Sequence, residues 1–141
     1  MIASVGHAAS LAFEEALAPH GLHPRHFAVL KGLRGGEAQS QQQLAAALGI
    51  PASRLVGLLD LLVERGLVER HDSPTDRRVK LVRLVDAGRA ELENLIAVAG
   101  QSERRVTAGL NAQDKAELRR LLGIVHANVA AEPDGARTRV W

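Results

Sequence analysis

Cysteine is absent from the 141 residues, which excludes disulfides, thiolate-bound metals and thiol redox switching. Aromatic residues are scarce, two Phe and one Trp with no Tyr, so a ligand pocket built on ring stacking is not expected. No apolar run approaches the roughly 18 residues that a membrane-spanning helix needs. The N-terminus carries neither the basic segment nor the apolar segment of a signal peptide. A cytoplasmic protein without a membrane partner is the expectation. Ser, His and Asp occur, but in no recognisable catalytic arrangement, and there is no Gly-rich phosphate loop. Enzymatic activity, catalytic residues and a cofactor are therefore not expected. Internal repeats and low-complexity segments are missing as well.

What is there has the composition of a globular protein, 46% hydrophobic and 24% charged. The length fits one domain over residues 1–141 and suffices to bury a core without covalent staples. The formal net charge is only +2, but the excess is local. Residues 1–40 balance Arg25, Lys31 and Arg34 against Glu14, Glu15 and Glu37. Residues 70–83 set Arg70, Arg77, Arg78, Lys80 and Arg83 against Asp72 and Asp76, a net of +3. A short positive segment fits contact with a polyanion; from charge alone, a solvated loop fits equally well.

Residues 8–18 read as a helix rich in Ala, Leu and Glu, broken by Pro19, Gly21 and Pro24. Pro24 suits the first turn of a second helix, where its missing N–H would be unsatisfied anyway, and Gly35-Gly36 ends that helix. Ser40-Gln41-Gln42-Gln43 is a capping box, in which the Ser40 hydroxyl takes the Gln43 amide and the Gln43 side chain returns to the Ser40 amide. The helix it opens, Gln41 to Leu48, stops at Gly49, which tolerates the left-handed conformation. Pro51 opens the next helix, in which Leu55, Leu58, Leu59 and Leu62 share one face, and Gly66 ends it. The period then changes. Residues 67–70 and 79–84 read as strands, with Val79, Leu81 and Arg83 on one face of the second. Between them lies His71 to Asp76, dense in turn formers. A β-hairpin thus carries the basic cluster. A long helix follows from Asp86 to about Gly109. Asn111 then caps a last helix over 112–130, with Asp114 in its first turn, and residues 132–141 form a flexible tail.

The stretch from Gln43 to Leu58 has the pattern of a helix-turn-helix. Ala45 is small where the second helix crosses, Gly49 makes the tight turn, and Leu44, Leu48, Ile50, Leu55 and Leu58 form a shared apolar seam. The expected fold class is mainly α with a small β-hairpin wing, a winged helix-turn-helix. Residues 21–30 (GLHPRHFAVL), the helix-turn-helix, residues 62–70 (LVERGLVER) and Asp76-Arg77-Arg78 ahead of Leu81 together resemble the MarR family of transcriptional regulators. The resemblance runs from about residue 8 to 130. It implies a dimer that binds operator DNA, as a repressor relieved by a small-molecule effector. It also implies that Asp76 orients one of the arginines through an ion pair.

The residues themselves point the same way. A helix starting at Pro51 presents its N-terminal end to the major groove, with Ala52, Ser53, Arg54, Val56 and Gly57 off the apolar face. Arg54 is the long donor among them, suited to bidentate contact with guanine. Ser40, Gln41 and Gln42 sit where a first helix meets phosphates, and neutral donors suffice there. Arg77 and Arg78 suit the negative potential of a narrow minor groove, so Asp76, Arg77 and Arg78 complete the candidate DNA-binding set. The family commonly has polar or basic residues at the positions of Val56, Gly57 and Leu61. The departure means either that the wing carries more of the affinity or that readout relies on methyl contacts and DNA shape. Val85 replaces the usual Thr cap, leaving Asp86 as the candidate cap of the long helix.

Residues 38–84 are thus expected to be the DNA-binding lobe. The terminal segments 1–20 and 110–131 carry apolar stripes that a lobe this small cannot cover, which points to dimerisation helices in a homodimer. Two recognition helices one helical turn apart then predict a pseudo-palindromic operator. Candidate walls of an effector pocket are Phe13, Leu17, His20, His26, Phe27 and Leu30. His20, His23 and His26 recur every third residue, but Pro24 interrupts a continuous helix between them, so structural or surface roles are expected in place of a metal site. An alternative from another class is a winged-helix protein-interaction module without DNA binding, favoured by the apolar Val56, Gly57 and Leu61.

Overall fold

Leucines at helical spacing decide how this chain buries itself. The structure, a computed structural model, describes residues 1–130; the tail expected at 132–141 lies outside the described residues. Along the chain come α1 (Ile2–Leu17), a 3-10 turn (Ala18–His20), α2 (Pro24–Gly32), β1 (Gln39–Ser40), α3 (Gln41–Leu48), α4 (Ala52–Glu64), β2 (Val68–Asp72), β3 (Lys80–Leu84), α5 (Asp86–Val106) and α6 (Ala112–Ala130). The expected class, mainly helical with a small β wing, is the one formed. Residues 1–106 make one compact unit and the chain from Thr107 on makes a second.

In the first unit α1 packs on α5, and α2 packs on α3, α4 and α5. Leu17, Leu30 and Leu33 meet Leu44, Leu55, Leu59, Leu62, Leu92 and Leu95 in one buried cluster, each worth about 1.5–3 kcal/mol of transfer free energy on burial. The sheet closes one side of it. It is antiparallel, in the order β1-β3-β2, with Val68 opposite Leu84 and Arg70 opposite Val82. Val82 and Leu84 join Val68 in the core. The buried face of β3 is therefore not the one that carries Val79, Leu81 and Arg83. Strand β1 is an addition to the expected hairpin: Gln39 and Ser40 pair with Val82 and Leu81.

Several boundaries move for local reasons. Helix α1 begins at Ile2, ahead of the expected Ala8, and the Val5 N–H bonds to the Met1 carbonyl at 3.1 Å despite the weak helix formers around it. Helix α2 closes at Gly32, ahead of Gly35-Gly36, because Leu33 leaves the helical region and the backbone tightens to three-residue bonds. Helix α5 begins at Asp86, so this residue is not its cap. Arg89 N–H bonds to Val85 O at 3.0 Å, and Asp86 sits in the first turn, where its charge favours the helix dipole. Gly88 is required by contact: a Cβ there would lie 1.9 Å from the Leu67 carbonyl oxygen.

In the second unit α6 has its own cap. Asn111 Oδ1 accepts from Asp114 N–H at 2.9 Å, and Asp114 Oδ2 accepts from Asn111 N–H at 3.2 Å. Leu121, Leu122, Ile124, Val125 and Val129 of this helix are exposed. Among the described residues no single helix is long and apolar enough to cross a membrane.

Candidate nucleic-acid interface

The capping box is formed as its residues dictate. Ser40 Oγ accepts from Gln43 N–H at 3.1 Å, and Gln43 Oε1 accepts from Ser40 N–H at 3.0 Å. Helix α3 ends at Gly49, whose φ of 64° is left-handed, and Ile50 N–H returns to Ala45 O at 3.1 Å. The chain bends by 109° between α3 and α4, inside the roughly 90–120° range of helix-turn-helix units. Leu44, Ala45 and Leu55 are buried in the seam, with Leu48, Ile50 and Leu58 packed partly against it.

Leu55, Leu59 and Leu62 bury the inner face of α4. At about 100° per residue, the opposite line runs through Ser53, Gly57 and Asp60, flanked by Arg54 and Val56; all five are exposed, as is Ala52. Leu61 is not part of that surface, because it is half-buried against the core. Pro51 gives α4 no side-chain cap, so the amides of its first turn are left where a phosphate would find them. On α3, Gln42 is exposed, Ser40 and Gln41 are half-buried, and the Gln41 Oε1 is buried without a donor.

The hairpin sorts its charges by position. Glu69 stands directly opposite Arg83, and Asp72 opposite Lys80; both pairs are salt-bridged. Arg70 reaches from β2 to Asp60 of α4 at 2.9 Å. Three of the five cations in the basic segment are thus neutralised. Arg77 and Arg78 are exposed at the loop, with no carboxylate partner among the described residues. Asp76 does not pair with either guanidinium, contrary to what the family resemblance implies. Its Oδ1 accepts from the Arg78 backbone N–H at 2.9 Å, which shapes the turn.

The six candidate effector residues gather where α1 meets α2. Phe13 and Phe27 stack edge to face with centroids 5.6 Å apart. Leu17 and Leu30 are fully buried. His20 Nδ1 lies 2.8 Å from Glu91 Oε1, and Arg65 donates to the His20 carbonyl at 2.8 Å. The buried His26 accepts from His23 N–H through Nδ1 at 3.1 Å. Burial, with the charges of His23 and Arg65 adding to it, holds its imidazole below the usual histidine range. Two cavities lie elsewhere: an open groove of about 480 Å³ along Gly35, Glu37, Ala38, Gln39, Gln43 and Ala47, and a pocket of about 170 Å³ along Arg34, Leu84, Arg89, Leu92 and Glu93.

A MarR family model matches residues 20–79. A probable transcriptional regulator from Pseudomonas aeruginosa is 33% identical, with 89% of this chain and 96% of that one covered and a TM-score of 0.77. The chain belongs to the MarR family. A mutant MarR from E. coli, solved with operator DNA, is 31% identical over 88% of this chain and 89% of its own, with a TM-score of 0.76. BpsR of Bordetella bronchiseptica, whose DNA binding is regulated by 6-hydroxynicotinic acid, is 27% identical over 87% and 93%, with a TM-score of 0.75. This MarR-family protein is a DNA-binding winged-helix regulator of transcription. Sequence reasoning missed three of its parts: β1, and the carboxylates Asp60 and Glu69 that quiet the hairpin stem. The signal for Glu69 was there, since residues equally distant from a hairpin turn face each other across it. Asp60 lies on another element and carried no such signal.

Proposed function

We propose that this MarR-family chain is a homodimeric repressor that grips a pseudo-palindromic operator and releases it when a small effector binds. Ala52, Ser53, Arg54, Val56 and Gly57 enter the major groove. Ser40, Gln41 and Gln42 lie along phosphates. Arg77 and Arg78 take the minor groove, with Asp76 holding the turn that carries them. The observation that carries this reading is the charge sorting of the hairpin: the stem cations are paired and the two at the tip have no carboxylate partner among the described residues. Residues 38–84 act as the DNA-binding lobe. The exposed apolar residues of α1 and, separately, of α6 support residues 1–20 and 110–131 as dimerisation helices.

Regulation of BpsR by a small carboxylic acid supports effector control here. The effector site is the α1–α2 junction, with Phe13, His20 and Phe27 at its rim and Leu17, His26 and Leu30 as its floor. The chain catalyses no reaction and acts in the cytoplasm. Titration of fluorescent duplexes with the full chain tests the core of the proposal: the logarithm of the affinity falls linearly with the logarithm of salt concentration as phosphate counterions are released. Absence of any duplex binding, together with salt-insensitive capture of a protein on the Val56–Gly57 face, would replace it with the protein-interaction reading.

A further inference from the structure

Gly57 sits in the interior of α4, where glycine costs about 1 kcal/mol relative to alanine. The chain's own packing gives no reason for it. Its φ is not positive, and a Cβ built on it meets nothing within 4 Å among the described residues. Gly49 needs its left-handed turn and Gly88 needs its contact with Leu67; Gly57 needs neither. Gly6 and Gly123 are as open, but Gly57 lies on the outer face of α4 in the helix-turn-helix, where the room it leaves is room for a duplex.

Its neighbours say what. Ser53 precedes it on the same outer line, and Val56 beside it is 38% exposed. Beyond Gly57 the line turns acidic, with Asp60 held by Arg70 at 2.9 Å and Glu64 exposed. Asp60 is tied to Arg70 and the exposed Glu64 repels phosphate, so the part of α4 free to sink into a groove is its first two turns, up to Gly57. Within that part Arg54 is the donor and Val56 the bulky apolar side chain. Valine offers no hydrogen bond. In the major groove the apolar feature that distinguishes one base from another is the C5-methyl group of thymine.

We propose that Val56 is a specificity-determining residue that packs on a thymine methyl in the major groove, and that the missing Cβ of Gly57 lets α4 come close enough to do so. The assignment deepens the DNA-binding reading and rests on it. Arg54 selects guanine through hydrogen bonds; Val56 selects thymine by removing one methyl group from water. Each half-site therefore holds one thymine whose methyl matters and whose hydrogen-bonding groups do not.

The test begins with duplexes that the full chain selects from a random pool. Each is rebuilt with deoxyuridine in place of one thymine at a time, a change that deletes the methyl and leaves every donor and acceptor. One thymine per half-site is expected to respond, with binding weakened about fourfold, the worth of one buried methyl-sized group. Symmetric replacement in both half-sites is expected to cost about fifteenfold. Val56→Ala binds the thymine and deoxyuridine duplexes alike, whereas Arg54→Ala keeps the difference. Gly57→Ala folds at least as stably as the parent, as judged by its Tm, and loses both affinity and methyl discrimination. Wild-type binding that is indifferent to every deoxyuridine replacement overturns the assignment while leaving DNA binding intact; so does discrimination that survives in Val56→Ala. A pool in which no duplex is enriched overturns the DNA-binding reading and this inference with it.

Discussion

Helix α4 and the hairpin tip are built on opposite principles. The outer line of α4 offers one cation, Arg54, among small and apolar neighbours, and it ends in carboxylates. The tip offers Arg77 and Arg78 side by side, free of carboxylate partners among the described residues, on a stem whose own cations are neutralised. On the proposed DNA-binding reading, the contrast separates affinity from selectivity. The tip supplies charge that any duplex attracts, and the helix supplies shape and one directed donor.

The sharpest way to break that division is the double variant Arg77→Ala, Arg78→Ala. Loss of two charge-assisted contacts lowers affinity on the order of a hundredfold for each protomer, compounding across the dimer. In titrations at several salt concentrations the loss is the same for all sequences and the salt dependence flattens. A sequence-dependent loss would put selectivity in the tip. Arg54→Ala comes next. It costs about tenfold per half-site on the preferred duplex, within the 1–3 kcal/mol of a bidentate base contact, and little on random DNA, so competition between the two reads it directly. Arg83→Ala probes the stem. Because Arg83 is engaged by Glu69 on the stem and not by the duplex, its loss removes no phosphate contact; DNA affinity changes less than about threefold, and stability by no more than ~1 kcal/mol, as for other exposed pairs.

The smallest effect belongs to neither region. His26 holds its proton less tightly when folded than when unfolded. As pH falls below the ordinary histidine value of 6.5, the unfolded chain takes up a proton first, so stability, full above that value, declines until the lowered folded value is passed. Urea unfolding between pH 7.5 and 5 shows the slope. His26→Asn keeps an acceptor for the His23 amide without a titrating proton and flattens it, while the ratio of specific to random DNA binding stays as it was.

Much of this was legible in residue types. Ser40 and Gln43 announced a capping box, Gly49 a turn, and the leucines of α4 an inner face, because each depends on neighbours within a few positions. The tip arginines were legible as a charge excess. What the sequence hid depends on partners brought from afar. The buried side of β3 was set by Val68 and Arg70 across the ladder, not by the alternation of Val79, Leu81 and Arg83. Asp76 is the exception, since its bond to the Arg78 amide two residues on is local turn chemistry that the implied ion pair obscured. Leu61 resembled part of an apolar reading surface until the core claimed it. Gly57 could be seen as costly in the sequence, but only the empty space around it shows that nothing inside the protein asked for it.

Gly88 has a mechanical consequence. The Leu67 carbonyl lies so near it that not one carbon atom fits between, and the same oxygen accepts the Val85 amide at 3.2 Å. The base of the hairpin and the start of α5 are therefore seated backbone to backbone, and any side chain at position 88 would have to pry them apart. Helix α5, 21 residues long and about 30 Å at the usual helical rise, is thereby anchored to the hairpin at its first turn.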